Sequence, residues 1–414
     1  MKEVFEHWIP NMEKRVWYLL IGYTVSLSGS GMTESFLVIY LHQIRRMDLA
    51  VSGGIIAFAG VAGVIAIPIS GWIGDRFGSG RSLVILLIVS AIGEAAMAFV
   101  QGPMSAFTAS FFIGAGAAGS WNALSSILAV SVRSNRRNDV FGMAFGLQNL
   151  GFGFGAAVGG WILDSHSSLS FTIIFMLDAA SFLFFAVFAG FRLPDSNRRR
   201  GIMGRAVGSA GRTGYSAVFK DQALILIMIL YACLAIIMGG LKTTAFPQWV
   251  TVHSPTWVIG MAFWANSCVI VGGQPFALRL LRGKRRTRVA SVAALLVGIG
   301  CLLIFFSGII GGGPTMITGF ILALAVVGFG ETLLFSSLPA LVNNLAADSL
   351  RGRYNSMFNL SWQAGSIAGP PLSGWMLAHH WGRGLFFLFI GVSGLLAIFS
   401  PLLGRVVPTS VNRG

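Results

Sequence analysis

Long apolar runs alternate with short polar interruptions from one end of the chain to the other. The runs occupy 16–41, 50–72, 82–101, 104–131, 139–163, 169–190, 222–249, 256–278, 289–309, 314–345, 354–378 and 384–404. A bilayer core about 30 Å thick needs about 20 apolar residues of helix to cross it. Backbone amides in lipid must be satisfied within the segment, so runs this long are helices. The pattern predicts an all-α membrane protein with twelve transmembrane helices, spans 1 to 12 in chain order. The longest interruption, "FRLPDSNRRRGIMGRAVGSAGRTGYSAVFKD", is rich in Gly, Ser and Arg and has no apolar period. It reads as a cytoplasmic linker. The expected organisation is a six-helix bundle over 1–190, a linker over 191–220 and a second six-helix bundle over 221–414.

Composition sharpens this picture. Of the 414 residues, 55% are hydrophobic and only 10% charged, and the mean hydropathy is +0.77. A soluble chain carries roughly a quarter charged residues, so the surplus apolar surface has to face lipid. The net charge of +15 raises nucleic acid as a partner, but the placement of that charge argues against it. With the N-terminus inside, all but Arg45, Arg46, Lys242 and Arg383 of the 29 lysines and arginines fall on the cytoplasmic side. The positive-inside rule accounts for that asymmetry. Both termini are expected in the cytoplasm and the chain in the inner membrane. The N-terminal "MKEVFEHWIPNMEKR" is too acidic and mixed for a signal peptide, so the first run reads as a retained helix. Cys233, Cys268 and Cys301 lie in apolar runs without metal-ligand spacing and read as small buried packing residues. The six histidines fall at or beyond span ends, and no P-loop occurs. An enzyme, a nucleotide-driven pump, a metal site and a cofactor are therefore not expected.

The two halves share a register. "MAFGLQNLGFGFGAAVGGWIL" (143–163) and "MFNLSWQAGSIAGPPLSGWML" (357–377) align at one constant offset. It superimposes Gly151 on Gly365, Gly155 on Gly369, Gly160 on Gly374 and Trp161 on Trp375. Glycines four residues apart make a small face that lets helix backbones approach closely. A shared register at the same place in each half reads as duplication.

"GWIGDRFGSGR" (71–81) sits in the short turn between spans 2 and 3. There it resembles the signature loop of the major facilitator superfamily through Gly71, Asp75, Arg76, Gly78 and Arg81, with Gly80 where a basic residue is usual. Span 5 resembles that family's antiporter motif through Gly151, Gly155, Gly159 and Gly160. Ala156 replaces the usual proline, and Pro370 stands at the matching place in the second half. The resemblance covers the whole chain and is closest to twelve-helix bacterial drug/proton antiporters. It implies a conformational latch at 71–81, with Asp75 contacting the start of span 11. Gly71 and Gly78 would permit the tight reversal and close helix approach. It also implies that spans 1, 4, 7 and 10 line a central path, bordered by spans 2, 5, 8 and 11. "SFFIGAGAA" (110–118) matches the family's span-4 pattern except that Ser110 replaces an arginine, so the usual arginine-based proton relay does not carry over.

Ionisable residues inside spans are costly and usually face a cavity or a partner. Four acids qualify: Glu34, Glu94, Asp178 and Glu331. By the family analogy Glu34 and Glu331 face the path and are the leading proton-coupling candidates, because a carboxyl in a partly dry cavity can take up and release protons. Glu94 and Asp178 fall on outer helices and are expected to turn inward toward a neighbour. Lys242 occupies in span 7 roughly the place of Glu34 in span 1 and is expected to pair with it across the outer mouth of the cavity in one conformation and separate from it in the other, or else to snorkel to the interface. Further cavity candidates are Trp121 and Asn122, Gln148 and Asn149, Tyr231, Trp264 and Asn266, and Asn359, Trp362 and Gln363. Aromatic faces with few fixed donors suit bulky lipophilic or cationic ligands. The resulting expectation is a secondary transporter exporting small amphipathic or drug-like molecules by alternating access, coupled to protons. A selective metabolite, sugar or lipid carrier, or a uniporter, is the alternative. A monomer suffices for either.

Overall fold

The apolar runs fold as helices. A computed structural model describes residues 14–132, 137–192, 218–281, 283–310, 312–347 and 350–412. Its first half contains α1 (Lys14–Glu34), α2 (Leu49–Phe77), α3 (Ser79–Ala98), α4 (Pro103–Ser131), α5 (Arg137–Ile162) and α6 (Ser168–Arg192). Its second half contains α7 (Gln222–Gly240), α8 (Trp257–Leu281), α9 (Arg286–Ile310), α10 (Pro314–Leu345), α11 (Arg351–Ala378) and α12 (Gly382–Leu403). Most of the expected linker lies outside the described residues. Among the described residues, nine helices are long and apolar enough by themselves to cross a membrane. Of the three long helices outside that set, α5 and α11 are the richest in Gly, Ser, Asn and Gln and α1 carries Gly22, Ser26, Ser28, Gly29, Ser30 and Gly31; their polar content serves packing and the site.

The chain divides into two units, one joining Met1–Met47 with Phe58–Ile202 and the other joining Asp48–Ala57 with Met203–Gly414. This differs from a clean division at the linker. Asp48–Ala57 packs within the second unit because Gly53 and Gly374 leave room: a Cβ on Gly53 would meet the Pro370 carbonyl, and one on Gly374 the Leu49 carbonyl. Internally the units repeat the same pairings. In the first, α1 packs on α5, and α3 on α4 and α6; in the second, α7 packs on α11, and α9 on α10 and α12.

Lipid is as apolar as a leucine side chain, so helices in a membrane associate through close packing and polar contacts rather than water exclusion. The paired glycines supply the first. A Cβ at Gly151 would lie 2.7 Å from the Thr24 carbonyl and one at Gly159 would lie 2.9 Å from the Met32 Cα, while one at Gly155 would strike the Ser28 carbonyl. Gly160, on the same helix, is buried. In the second unit Gly365 and Gly369 seat α11 against α7, at Ala232 and Ile236. Leu20, Leu87, Leu124 and Phe185 then join α1, α3, α4 and α6 into one core.

The α2–α3 turn needs Gly78, whose φ of 93° is disfavoured for any residue with a side chain. Gly71 does not share that role: it lies inside α2, and an added Cβ would meet no described atom within 4 Å. The close approach expected there is absent because the helix continues to Phe77 before the chain reverses. Asp75 and Arg81 are exposed, and the Arg76 guanidinium lies 5.5 Å from the Trp72 ring centre. Cys301 is buried and Cys233 partly so, but Cys268, expected inside, is exposed.

Candidate functional site

The first unit holds a cavity of about 350 Å³ between α1, α4, α5 and α6. On α1 its lining residues are Tyr23, Ser26, Leu27, Ser30 and Glu34. Tyr23, Ser26 or Leu27, Ser30 and Glu34 recur every three or four residues, one stripe of the helix. α4 contributes Trp121, α5 contributes Gln148, Asn149 and Phe152, and α6 contributes Phe182. The Tyr23 and Trp121 rings stack with centres 5.2 Å apart, and the Tyr23 hydroxyl donates to Gln148 Oε1 at 3.2 Å. Asn149 donates to the Phe145 carbonyl one turn back. Asn122 does not join the lining: its amide donates to Ser70 Oγ at 2.6 Å, so it ties α4 to α2.

Glu34 is exposed to this cavity and has no hydrogen-bond or ion-pair partner among the described residues. It is the last residue of α1. Two turn residues follow it, then Leu37–Ile39 and a π-turn at Tyr40–Ile44, so span 1 is broken beside its acid. The matching position of span 7 is also irregular: α7 passes through a π-turn at Leu241–Ala245 before the helix Phe246–His253, and Lys242 lies in that turn. Such irregular turns widen the backbone and occur often at functional sites.

Lys242 is taken inside its own unit. Its ammonium donates to Glu331 Oε1 at 2.9 Å and Oε2 at 3.1 Å, and to Asn266 Oδ1 at 3.1 Å. Asn266 Nδ2 donates in turn to the Leu324 carbonyl at 2.9 Å, in space that Gly328 leaves open. The helix rotation that sets Glu331 against Lys242 is not readable from spacing. Glu331 is thus an ion-paired acid rather than a free one. Nearby, Tyr231 stacks on Phe358 with ring centres 4.1 Å apart and lies 4.7 Å from Trp362, and Phe335 lies 5.0 Å from Trp362. Phe335 and Phe358 escaped the sequence reading, because nothing distinguishes them from ordinary apolar packing. Trp264 and Gln363 are half-buried, and Asn359 is exposed.

Glu94 and Asp178 turn away from lipid into the first unit. Both are buried, at 2% and 0% exposure. Thr33 donates to Asp178 Oδ2 at 2.8 Å and Ser181 to Oδ1 at 3.2 Å. Gly29 makes this possible, since any side chain there would collide with Asp178. Among the described residues no group of three or more His, Cys, Asp or Glu is placed to hold a metal ion.

Comparison with known proteins agrees with this architecture. A family model described as Major Facilitator Superfamily matches residues 19–313 and again 259–413. The uncharacterized MFS-type transporter YttB of Bacillus subtilis (strain 168) is 25% identical over 407 residues, 95% of each chain. The multidrug resistance protein MdtG of Serratia proteamaculans (strain 568) is 31% identical over 164 residues, 39% of each chain. Among solved structures, a peptide transporter POT in complex with sulfate superimposes with a TM-score of 0.75 at 15% identity, covering 100% of both chains. The nucleoside transporter NupG gives a TM-score of 0.71 at 16% identity, covering 95% of this chain and 100% of the other. At these identities the structures speak for the fold alone.

Proposed function

Because the chain belongs to the major facilitator superfamily, a family of multi-pass membrane transporters, we propose that it exports small amphipathic compounds, cationic ones among them, in exchange for protons. The observation that carries this reading is Glu34, an accessible carboxyl with no ion-pair partner among the described residues, in a cavity walled by Tyr23, Trp121, Phe152 and Phe182. A lipophilic cation would gain from the carboxylate and from the stacked aromatic faces. A proton on Glu34 removes the first attraction, so proton and cation compete for one site, which is what exchange requires. The partial similarity to a multidrug resistance protein supports the substrate class. Alternating access would come from rocking of the two units about the midplane, with Gly71, Asp75, Arg76, Gly78 and Arg81 as the cytoplasmic latch. In this reading the chain sits in the inner membrane as a monomer with cytoplasmic termini, and performs no chemical step on its cargo.

The test is proton movement in liposomes holding the purified protein and a pH-sensitive dye, challenged with a panel of lipophilic cations and neutral drugs. Cations should drive proton flux in the wild type and none above empty liposomes in Glu34→Gln. The Lys242–Glu331 pair favours a second reading, a selective carrier of a metabolite bearing both charges, without proton coupling. Transport without proton flux, unchanged by Glu34→Gln, would select it.

A further inference from the structure

We infer that the first-unit cavity selects its cation by N–H groups, so that aromatic primary and secondary ammonium compounds are favoured over quaternary ammonium ions of similar size. This names the substrate class of the exchange reading; it rests on that reading for transport, though not for binding. Every hydroxyl on the cavity wall has spent its proton. The Tyr23 hydroxyl donates to Gln148 Oε1 at 3.2 Å. Ser26 Oγ donates to the Tyr23 carbonyl at 2.9 Å, Ser30 Oγ to the Ser26 carbonyl at 3.3 Å and Ser120 Oγ to the Ala117 carbonyl at 2.9 Å. A hydroxyl has one proton and two lone pairs, so each of these oxygens meets a ligand as an acceptor. Asn149 is turned the same way. A helix carbonyl can only accept, so its 2.9 Å contact with the Phe145 carbonyl is made by Nδ2, and Oδ1 is left as a further acceptor. Glu34 adds a carboxylate, which when ionised only accepts.

Donors on the wall are few and uncharged. No Lys, Arg or His lines the cavity, and side-chain N–H groups are confined to Gln148, Asn149 and Trp121. Such a wall suits a ligand that brings positive charge and N–H donors together. One ammonium N–H donates to the carboxylate in a charge-assisted bond, and the others have hydroxyl and amide oxygens to meet. A quaternary ammonium keeps the attraction of charge and of aromatic faces but donates nothing. Seated here it covers acceptors that water would otherwise satisfy, and an acceptor buried without a donor is costly. A site built to hydrogen-bond its ligand rejects an analogue lacking the donor far more strongly than an apolar pocket rejects a missing methylene. The second unit presents the opposite chemistry, an ammonium donor on Lys242 already taken by Glu331 and Asn266. The stacked Tyr23 and Trp121 rings, with Phe152 and Phe182, offer apolar faces to an aromatic group. A cavity of about 350 Å³ lies at the low end for small-molecule sites, which restricts that group to a compact one.

A methylation series separates N–H donation from charge. 2-(1-Naphthyl)ethylamine and its N-methyl, N,N-dimethyl and N,N,N-trimethyl derivatives share one ring system and one positive charge, and lose their N–H groups one at a time. Equilibrium binding of each is measured on the purified full-length chain in detergent, at neutral pH and without a proton gradient. Affinity should fall along the series, the trimethyl compound binding at least about tenfold more weakly than the primary amine. Replacing Ser26→Ala and Ser30→Ala together removes two acceptors whose protons serve only their own helix. That variant should narrow the ratio, chiefly by weakening the primary amine, and Asn149→Leu on α5 should independently do the same. A trimethyl compound bound as tightly as the primary amine, a ratio unmoved in both variants, or no saturable binding of the primary amine overturns the inference. N–H-dependent binding with no proton flux when the same amines are given to proteoliposomes would instead count against the exchange reading and leave the inference standing. Proton-coupled transport of quaternary cations, with no preference for N–H groups, would do the reverse.

Discussion

Lys242 distributes its ammonium between Glu331 and Asn266, all within the second unit. Removing one partner of a buried pair strands the other charge. Lys242→Met should therefore lower the thermal stability of the purified protein by about 3 kcal/mol, the low end for a broken buried pair, because the lysine side chain is still 23% exposed. Adding Glu331→Gln should recover most of that loss, since the stranded charge goes with it. A double variant no more stable than the single would mean that the pair is not coupled. The acids and the lysine were legible as charges within apolar runs; their partners were not. Pairing depends on how each helix is turned about its axis, and a turn error of one residue, about 100°, moves a side chain to another neighbour. Pseudo-symmetry relates Lys242 to Glu34 but carries no information on the rotation that sets it against Glu331. Asn122 misled for the same reason, facing α2 rather than the cavity.

At the scale of helices, the ends of the apolar runs anticipate the observed boundaries to within a few residues, because Gly, Pro and Arg punctuate them. The break in span 1 was not anticipated, since a single serine at 35 inside an apolar run is a weak turn signal. The π-turn of span 7 had a signal: Pro247 cannot donate a backbone hydrogen bond, and the preceding turn widens around it. The glycine face of α5 allows a controlled comparison. Gly155→Ala would press a methyl into the Ser28 carbonyl and should cost about 1–3 kcal/mol of stability as overpacking. Gly142→Ala, on the same helix with no described atom within 4 Å of an added Cβ, should be neutral or stabilising by up to about 1 kcal/mol. Thermal unfolding in detergent separates the two; equal effects would show that the glycines matter for helix propensity and not for the seating of α1.

Across the whole molecule, duplicated topology carries unequal electrostatics. The first unit holds three acids at membrane depth without a base, and the second balances Glu331 with Lys242. A duplicated fold could serve any cargo; it is this imbalance that makes the first unit the proton-binding half of the account. The most direct measurement is uphill transport of a lipophilic cation into liposomes with an acidic lumen, compared for wild type and Glu34→Gln. The account predicts that the wild type concentrates the cation inside while the proton gradient lasts, and that Glu34→Gln brings it no further than the level of empty liposomes. A Glu34→Gln protein that still concentrates the cation to the wild-type level would contradict it.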